Sequence, residues 1–404
     1  MTLPRPTTLW FVLLAVLALV FPYLNTWPFF DGFIGPFRTF QATMFAVWLL
    51  VVLSMNLLTG YSGQISLGHA ALVAVGAYIT AILFNQYNVP LALAVLLAGL
   101  GTGVLGGVFI GLPALRLSGP YLAIATFSLI VALPQILKMD IEIAGLGIDI
   151  TTWTKGANGI RIREVQAPGF VDGLVDQRQW LYYMCMVSAV IMTFLAWNLV
   201  RSRIGRAFIA VRDSEIGAEQ LGVNVPLYKT LAFGISSCYA GVGGGLLFIV
   251  QAFISPSSMD LLASINFLIA IVIGGLATIL GSIFGALYLT FQGELISNLS
   301  PQIARVVPEQ VVSDPETLRG VIFGSALIFT IIAFPRGFAG FVRDLLGWSI
   351  GRAGQPLDVR RWLASAWAAG SLARVRRPSR AAAPRTGPGE VTAESFDRPD
   401  DGRG

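Results

Sequence analysis

The stretch Arg201 to Lys229, RSRIGRAFIAVRDSEIGAEQLGVNVPLYK, decides how this chain is read, because it is a charged island between two apolar runs each long enough to cross a bilayer. Within it Ala207, Val211, Ser214, Ala218 and Leu221 recur at spacings of four, three, four and three. That periodicity predicts a helix with a narrow small-residue face, surrounded by Arg206, Arg212, Asp213, Glu215 and Glu219 and stopped at Gly222. Such a helix can lie flat and seat in a partner's groove. A solvated loop that joins two spans and fixes their orientation by its five basic residues fits the same stretch, and the island alone leaves both readings open.

Outside the island the chain is overwhelmingly apolar. Of 404 residues, 55% are hydrophobic and 12% charged, with a mean hydropathy of +0.72, whereas soluble domains carry about a quarter charged residues. The expected fold is all-α and polytopic, with ten spans near 8–24, 39–58, 65–84, 90–112, 119–137, 179–200, 228–250, 261–273, 279–299 and 318–334. The eighth is short for a full crossing. Ten spans put both termini on one side, and the basic residues of the island, Arg116 and Arg5 make that side cytoplasmic by the positive-inside rule. The longest outer segment is then Lys138 to Arg178. No small-residue cleavage pattern follows the first apolar run, so it is expected to stay as an uncleaved span.

The net charge of +5 comes entirely from the residues after Phe334, which hold twelve Arg against seven Asp or Glu. Residues 1–340 are expected to form the transmembrane domain, and 341–404 a basic, mostly disordered cytoplasmic tail that cannot bury a core. Arg374, Arg376, Arg377 and Arg380 in that tail suit contact with anionic membrane lipid, although a solubilising charge run has the same composition. Glycine clusters at 99–111 and 241–245 read as close helix packing. Two segments, Gly63 to Tyr78 and Gly274 to Tyr288, share a weak pattern that hints at duplicated halves with broken helices.

Tyr61 to His69 (YSGQISLGH) puts polar side chains and glycines where a span should begin. Ser62, Gln64, Ser66 and His69 there offer uncharged donors and acceptors to a polar substrate. Hydrogen bonds that tie neighbouring helices together would use the same residues. His69 is the single histidine and lacks the companions a metal site needs, and both cysteines, Cys185 and Cys238, fall in apolar runs. Neither a nucleophile with its base nor a phosphate-cradling glycine loop is present, so the chain is expected not to be an enzyme, and any ATP would be hydrolysed elsewhere. A lone span carboxylate, Glu294, weakens the alternative of an ion-coupled secondary carrier.

Several ordered motifs resemble one family: the permease subunits of bacterial ABC importers for branched-chain amino acids, of the LivM type. They are NLLTGYSGQISLGHAALVAVGAY (56–78), GPYLAIATFS (119–128), GRAFIAVRDSEIGAEQLGVNVPLYKTLAF (205–233), ISPSSMDLLASINFLIAIVIGGLATILGSIFGAL (254–287) and FPRGFAG (334–340). The resemblance implies an inner-membrane permease whose island is the segment that couples to an ATPase, with Gly205, Arg206, Arg212, Asp213, Glu215, Ala218, Glu219, Gly222 and Lys229 in that role. It also implies a second homologous permease, two ABC ATPase subunits holding ATP and Mg, and a periplasmic binding protein received by the outer loops. No cofactor is expected in this chain and no nucleic acid as a partner. Lys155 and Asn158 lie in the outer loop, where Lys155 departs from the family's Thr-Gly-Gly. Ser62, Gln64, Ser66 and His69 are the expected substrate pathway, and importers of urea or short amides are the alternative cargo class.

Overall fold

A bilayer core holds no water to pair with backbone groups, so each apolar run must satisfy its own N–H and C=O groups by coiling into a helix. The computed structural model describes residues 36–111, 113, 120–139, 142–143, 148–149, 153–163, 165, 176–303, 324 and 337–342. The first expected span, the tenth apart from Gly324, and the tail beyond residue 342 lie outside the described residues.

The first helix, α1 (Pro36–Met55), passes directly into a π-helical turn, Asn56–Tyr61. Then come α2 (His69–Asn85) and α3 (Leu91–Leu105), the latter extended by a second π-helical turn at Gly106–Gly111. They are followed by α4 (Pro120–Lys138), strands β1 (Glu142–Ile143), β2 (Ile148–Asp149) and β3 (Ile160–Arg161), and α5 (Gln177–Arg201). Two short helices, α6 (Arg203–Asp213) and α7 (Glu215–Gln220), lead to α8 (Val225–Gln251), β4 (Phe253–Ile254), α9 (Leu261–Gly274) and α10 (Ile279–Ile303). Among the described residues five stretches are long and apolar enough to cross a membrane: Arg38–Tyr61, Leu91–Gly111, Tyr121–Lys138, Gln177–Arg201 and Val225–Gln251. Eight of the ten expected spans coincide with helices α1 to α5 and α8 to α10. The short eighth is α9, whose 14 residues rise only about 21 Å.

Helix α8 forms the centre, packing against α1, α2 and α3. Its glycine run makes this possible. A Cβ on Gly244 would stand 1.9 Å from the Val73 carbonyl oxygen of α2, and one on Gly76 would stand 2.4 Å from Gly241 Cα. Backbones that approach this closely exclude any larger residue, which is the packing that small residues permit between apolar helices.

Connections alternate between two ends of the bundle. At one end the turn after α1, the segment from α6 to the start of α8, and the α9–α10 junction are joined by hydrogen bonds from Arg212 to Gly60 and from Asn56 to Thr278. At the other end Asn85 bonds the Arg161 carbonyl, Gln86 bonds the Trp153 carbonyl, and β3 pairs antiparallel with β4. Glu294, the carboxylate inside an expected span, lies 3.7 Å from Arg38 in an ion pair.

Candidate functional site

The charged island folds as two short helices at an angle set by Ser214. Ser202 opens α6 by accepting from the Ile204 and Gly205 amides, and Ser214 opens α7 by accepting from the Gly217 amide at 3.0 Å. Gly205 is required by proximity, since a Cβ there would sit 2.3 Å from the Val200 carbonyl oxygen at the tight α5–α6 turn. Gly222 ends α7 as expected: it takes φ +78°, its amide donates to Glu219, and the Val223 amide donates to Ala218, the paired bonds of a Schellman stop.

One expectation is corrected. Ala207, Val211, Ser214, Ala218 and Leu221 do not form one continuous face offered to a partner. The chain breaks at Ser214, and Ala207, Val211 and Ala218 turn inward, Ala218 being 2% exposed and packed with Val211 and Val225. The 4-3-4-3 spacing marks the face that binds its own protein. What points outward is Ile216, 74% exposed, and Leu221, 83% exposed. Sequence reasoning passed over Ile216, whose signal was a large aliphatic in the middle of a charged stretch.

The charged side chains mostly brace this scaffold. Lys229, buried on the first turns of α8, places Nζ 2.7 Å from Glu215 Oε2 and so ties α7 to α8. Arg212 pairs with Asp213 at 2.9 Å and also donates to the Gly60 carbonyl at 3.0 Å. Arg206 folds back onto the Arg201 carbonyl, while Arg201 lies over the Trp197 ring at 3.7 Å. Glu219 is exposed on α7.

The polar stretch before α2 is the reverse case. Ser62, Gln64, Ser66 and His69 are all buried. Gln64 Nε2 donates to Ser62 Oγ at 2.9 Å and to the Lys229 carbonyl at 3.3 Å, and Ser62 donates to the Leu58 carbonyl. His69 Nε2 is 2.7 Å from Ser54 Oγ, which itself donates to the Val51 carbonyl; the ring therefore carries its hydrogen on Nε2 and leaves Nδ1 an acceptor. That Nδ1, Ser66 Oγ and Gln64 Oε1 are buried without hydrogen-bond partners. The structure thus joins Ser62 to Gln64 and His69 to Ser54, and leaves Ser66 unbonded.

At the opposite end Lys155 and Asn158 are exposed on a 3-10 turn held by the Asn158 amide donating to the Lys155 carbonyl. Lys155 adopts φ +59°, a left-handed conformation that glycine takes without cost. Among the described residues no group of three His, Cys, Asp or Glu side chains gathers to hold a metal.

The family described as branched-chain amino acid transport system, permease component, matches residues 38–331, which takes in both the island and the polar break. The chain belongs to that family. The LivM high-affinity branched-chain amino acid permease of Escherichia coli K12 is 30% identical over 303 residues, covering 72% of this chain and 69% of the relative. Its Salmonella typhimurium counterpart is 28% identical over 323 residues, covering 77% and 72%. The LsrC permease of the autoinducer 2 import system of E. coli K12 / DH10B is 25% identical over 251 residues, covering 60% and 67%. Permeases similar to this chain are therefore named for more than one cargo. No solved structure gives a match.

Proposed function

We propose that this permease forms the substrate pathway of an ATP-driven importer in the bacterial inner membrane, carrying branched-chain or related amino acids, and that α6 and α7 couple it to a separate ATPase. The observation that carries the reading is the pair Ile216 and Leu221, two exposed aliphatic side chains on a helix fixed at both ends by Ser214 and Gly222 and braced from behind by Lys229. A rigid helix presenting apolar anchors within a charged rim suits insertion into a groove, with Glu219, Arg206 and Arg212 setting register at the edge. Ala218 and Gly205 act behind this surface, keeping the helices close.

The pathway reading rests on Ser62, Gln64, Ser66 and His69. Three buried polar atoms without partners there each cost about 1–3 kcal/mol. A polar substrate passing the break, or a second conformation of it, offers those atoms hydrogen bonds without burying a fixed charge. The second permease, the paired ATPases with their ATP and Mg, and the periplasmic binding protein, met by Lys155 and Asn158, complete the proposed assembly.

Co-purification of the tagged permease with its ATPase tests the coupling surface. Ile216→Glu and Leu221→Glu should insert and fold normally, since both positions are exposed, yet lose the ATPase. Full retention of the ATPase by the double variant would return the island to the role of a charged linker. Uptake of leucine, urea and a short amide by vesicles carrying the whole assembly separates the cargo classes.

A further inference from the structure

Asn56 is fully buried, and its amide makes three hydrogen bonds to one short piece of chain more than two hundred residues away. Its Nδ2 donates to the Thr278 carbonyl at 2.8 Å and to Ser282 Oγ at 2.9 Å, and its Oδ1 accepts from the Ala277 amide at 2.9 Å. These contacts use three of the four hydrogen-bonding positions an asparagine amide has. The piece they hold is the junction between α9 and α10. Gly275 takes φ +121° and Ala277 takes φ +56° there, and the Thr278 hydroxyl accepts from the Gly281 amide to start α10. An alanine in the left-handed region keeps that conformation only where its surroundings fix it, and the Asn56 carbonyl oxygen on its amide is the fixing contact.

Asn56 also begins the π-helical turn that ends at Tyr61, and the far side of that turn meets α6. Arg212 Nη1 donates to the Gly60 carbonyl at 3.0 Å. The stem of Arg212 lies on Gly63, where a Cβ would stand 2.6 Å from Arg212 Cγ. No slack separates the turn from the junction, since a Cβ on Gly60 would stand 2.0 Å from Asn56 Oδ1 and 2.7 Å from the Ala277 nitrogen. The surface segment, the π-helical turn and the α9–α10 junction are therefore in unbroken contact, with bonds to main-chain atoms at each step.

We infer that Asn56 is a positioning residue that makes the α9–α10 junction follow the displacement of α6, so that movement at the island reaches the helices α9 and α10. The inference rests on the reading of the island as the ATPase coupling segment. A packed contact with fixed hydrogen bonds transmits movement as a unit, whereas a loosened one lets each side move alone.

The test uses the full assembly in nanodiscs, with Cys185 and Cys238 replaced by alanine and spin labels placed at the exposed positions Arg203 on α6 and Leu276 in separate samples, each paired with a reference label on α5. Distances are compared with and without ATP and vanadate, in the parent protein and in Asn56→Asp, which keeps the size of the side chain and removes one donated bond as a carboxylic acid and both as a carboxylate. Ser282→Ala, which removes one accepted bond and leaves the fold intact, is the milder variant. The expected result is a nucleotide-dependent shift at both labels in the parent, kept at 203 and lost at 276 in Asn56→Asp, with a partial loss in Ser282→Ala. Transport per ATP hydrolysed should fall about tenfold in Asn56→Asp, within the range that coupling between sites spans, while basal hydrolysis stays unchanged. A junction label that still shifts fully in either variant, with transport per ATP unaltered, overturns the inference and leaves the coupling reading standing. A parent protein whose label at 203 does not respond to nucleotide overturns both.

Discussion

The island between α5 and α8 and the polar break before α2 meet through Arg212, Gly63, Gln64 and Lys229, yet they are built on opposite principles. In the island nearly every polar group is matched: serines cap helices, Lys229 meets Glu215, and Arg212 meets both Asp213 and a carbonyl. Two of its large aliphatic side chains, Ile216 and Leu221, stand in the open. In the break Ile65 is exposed too, but the groups that set the break apart are polar, buried and unmatched. A surface built the first way suits a partner that covers its aliphatic side chains. An interior built the second way carries free energy that another conformation or a polar guest can release.

The largest effect that would break this contrast is at Ile216 and Leu221. Each replaced by Glu should weaken ATPase retention by about 2 kcal/mol, roughly thirtyfold, as measured by titrating the purified ATPase onto the permease. A change of twofold or less would mean that the exposed aliphatic side chains anchor nothing. Next comes Ser214→Ala, which removes the cap of α7 and should cost about 1 kcal/mol. Hydrogen exchange should then quicken at the amides of 215–220 and stay unaltered in α8; uniform change would show that α7 is not an independent unit.

The break should respond with the opposite sign. Ser66→Ala deletes a buried hydroxyl that has no partner, so the variant should be more stable by up to about 1 kcal/mol and show a higher apparent Tm in detergent, with slower uptake. Lower stability would mean that Ser66 is satisfied and that the contrast fails there. The smallest expected effect is at the far end, where Lys155→Gly relieves a left-handed backbone worth about 1–2 kcal/mol but frees the unfolded chain by up to about 1 kcal/mol. The net gain should be about 0.5 kcal/mol, seen as a small rise in apparent Tm.

Much of this architecture was legible in the chain because a bilayer allows few ways to arrange an apolar run. Helices α1 to α5 and α8 to α10 start and stop within a few residues of where hydropathy places them, and Gly222 ends α7 where a glycine after the last periodic residue should. The island was misread for a physical reason. Periodicity records which side chains share a face and is silent on what that face touches, so Ala207, Val211 and Ala218 looked outward when they pack inward. The cap at Ser214 was hidden because the apolar spacing runs through it without a gap. Asn56 was beyond sequence reasoning altogether, since its partners at 277, 278 and 282 come close only when α1 and α10 fold together.

At the end opposite the island, the stretch 153–163 is fastened to the rest by main-chain bonds and by side chains, the latter from Asn85, Gln86, Thr154 and Arg163. β3 pairs with β4, and the Ile162 amide donates to the Ala252 carbonyl. Gly159 is fixed as well, by φ +70° and by the Ile254 carbonyl oxygen, which an added Cβ would meet at 2.3 Å. The side chains of Lys155, Ala157 and Asn158, by contrast, are exposed and bond to no other described residue. Those three positions are thus free to change the surface shown at this end, one residue at a time, without disturbing the far end of the bundle.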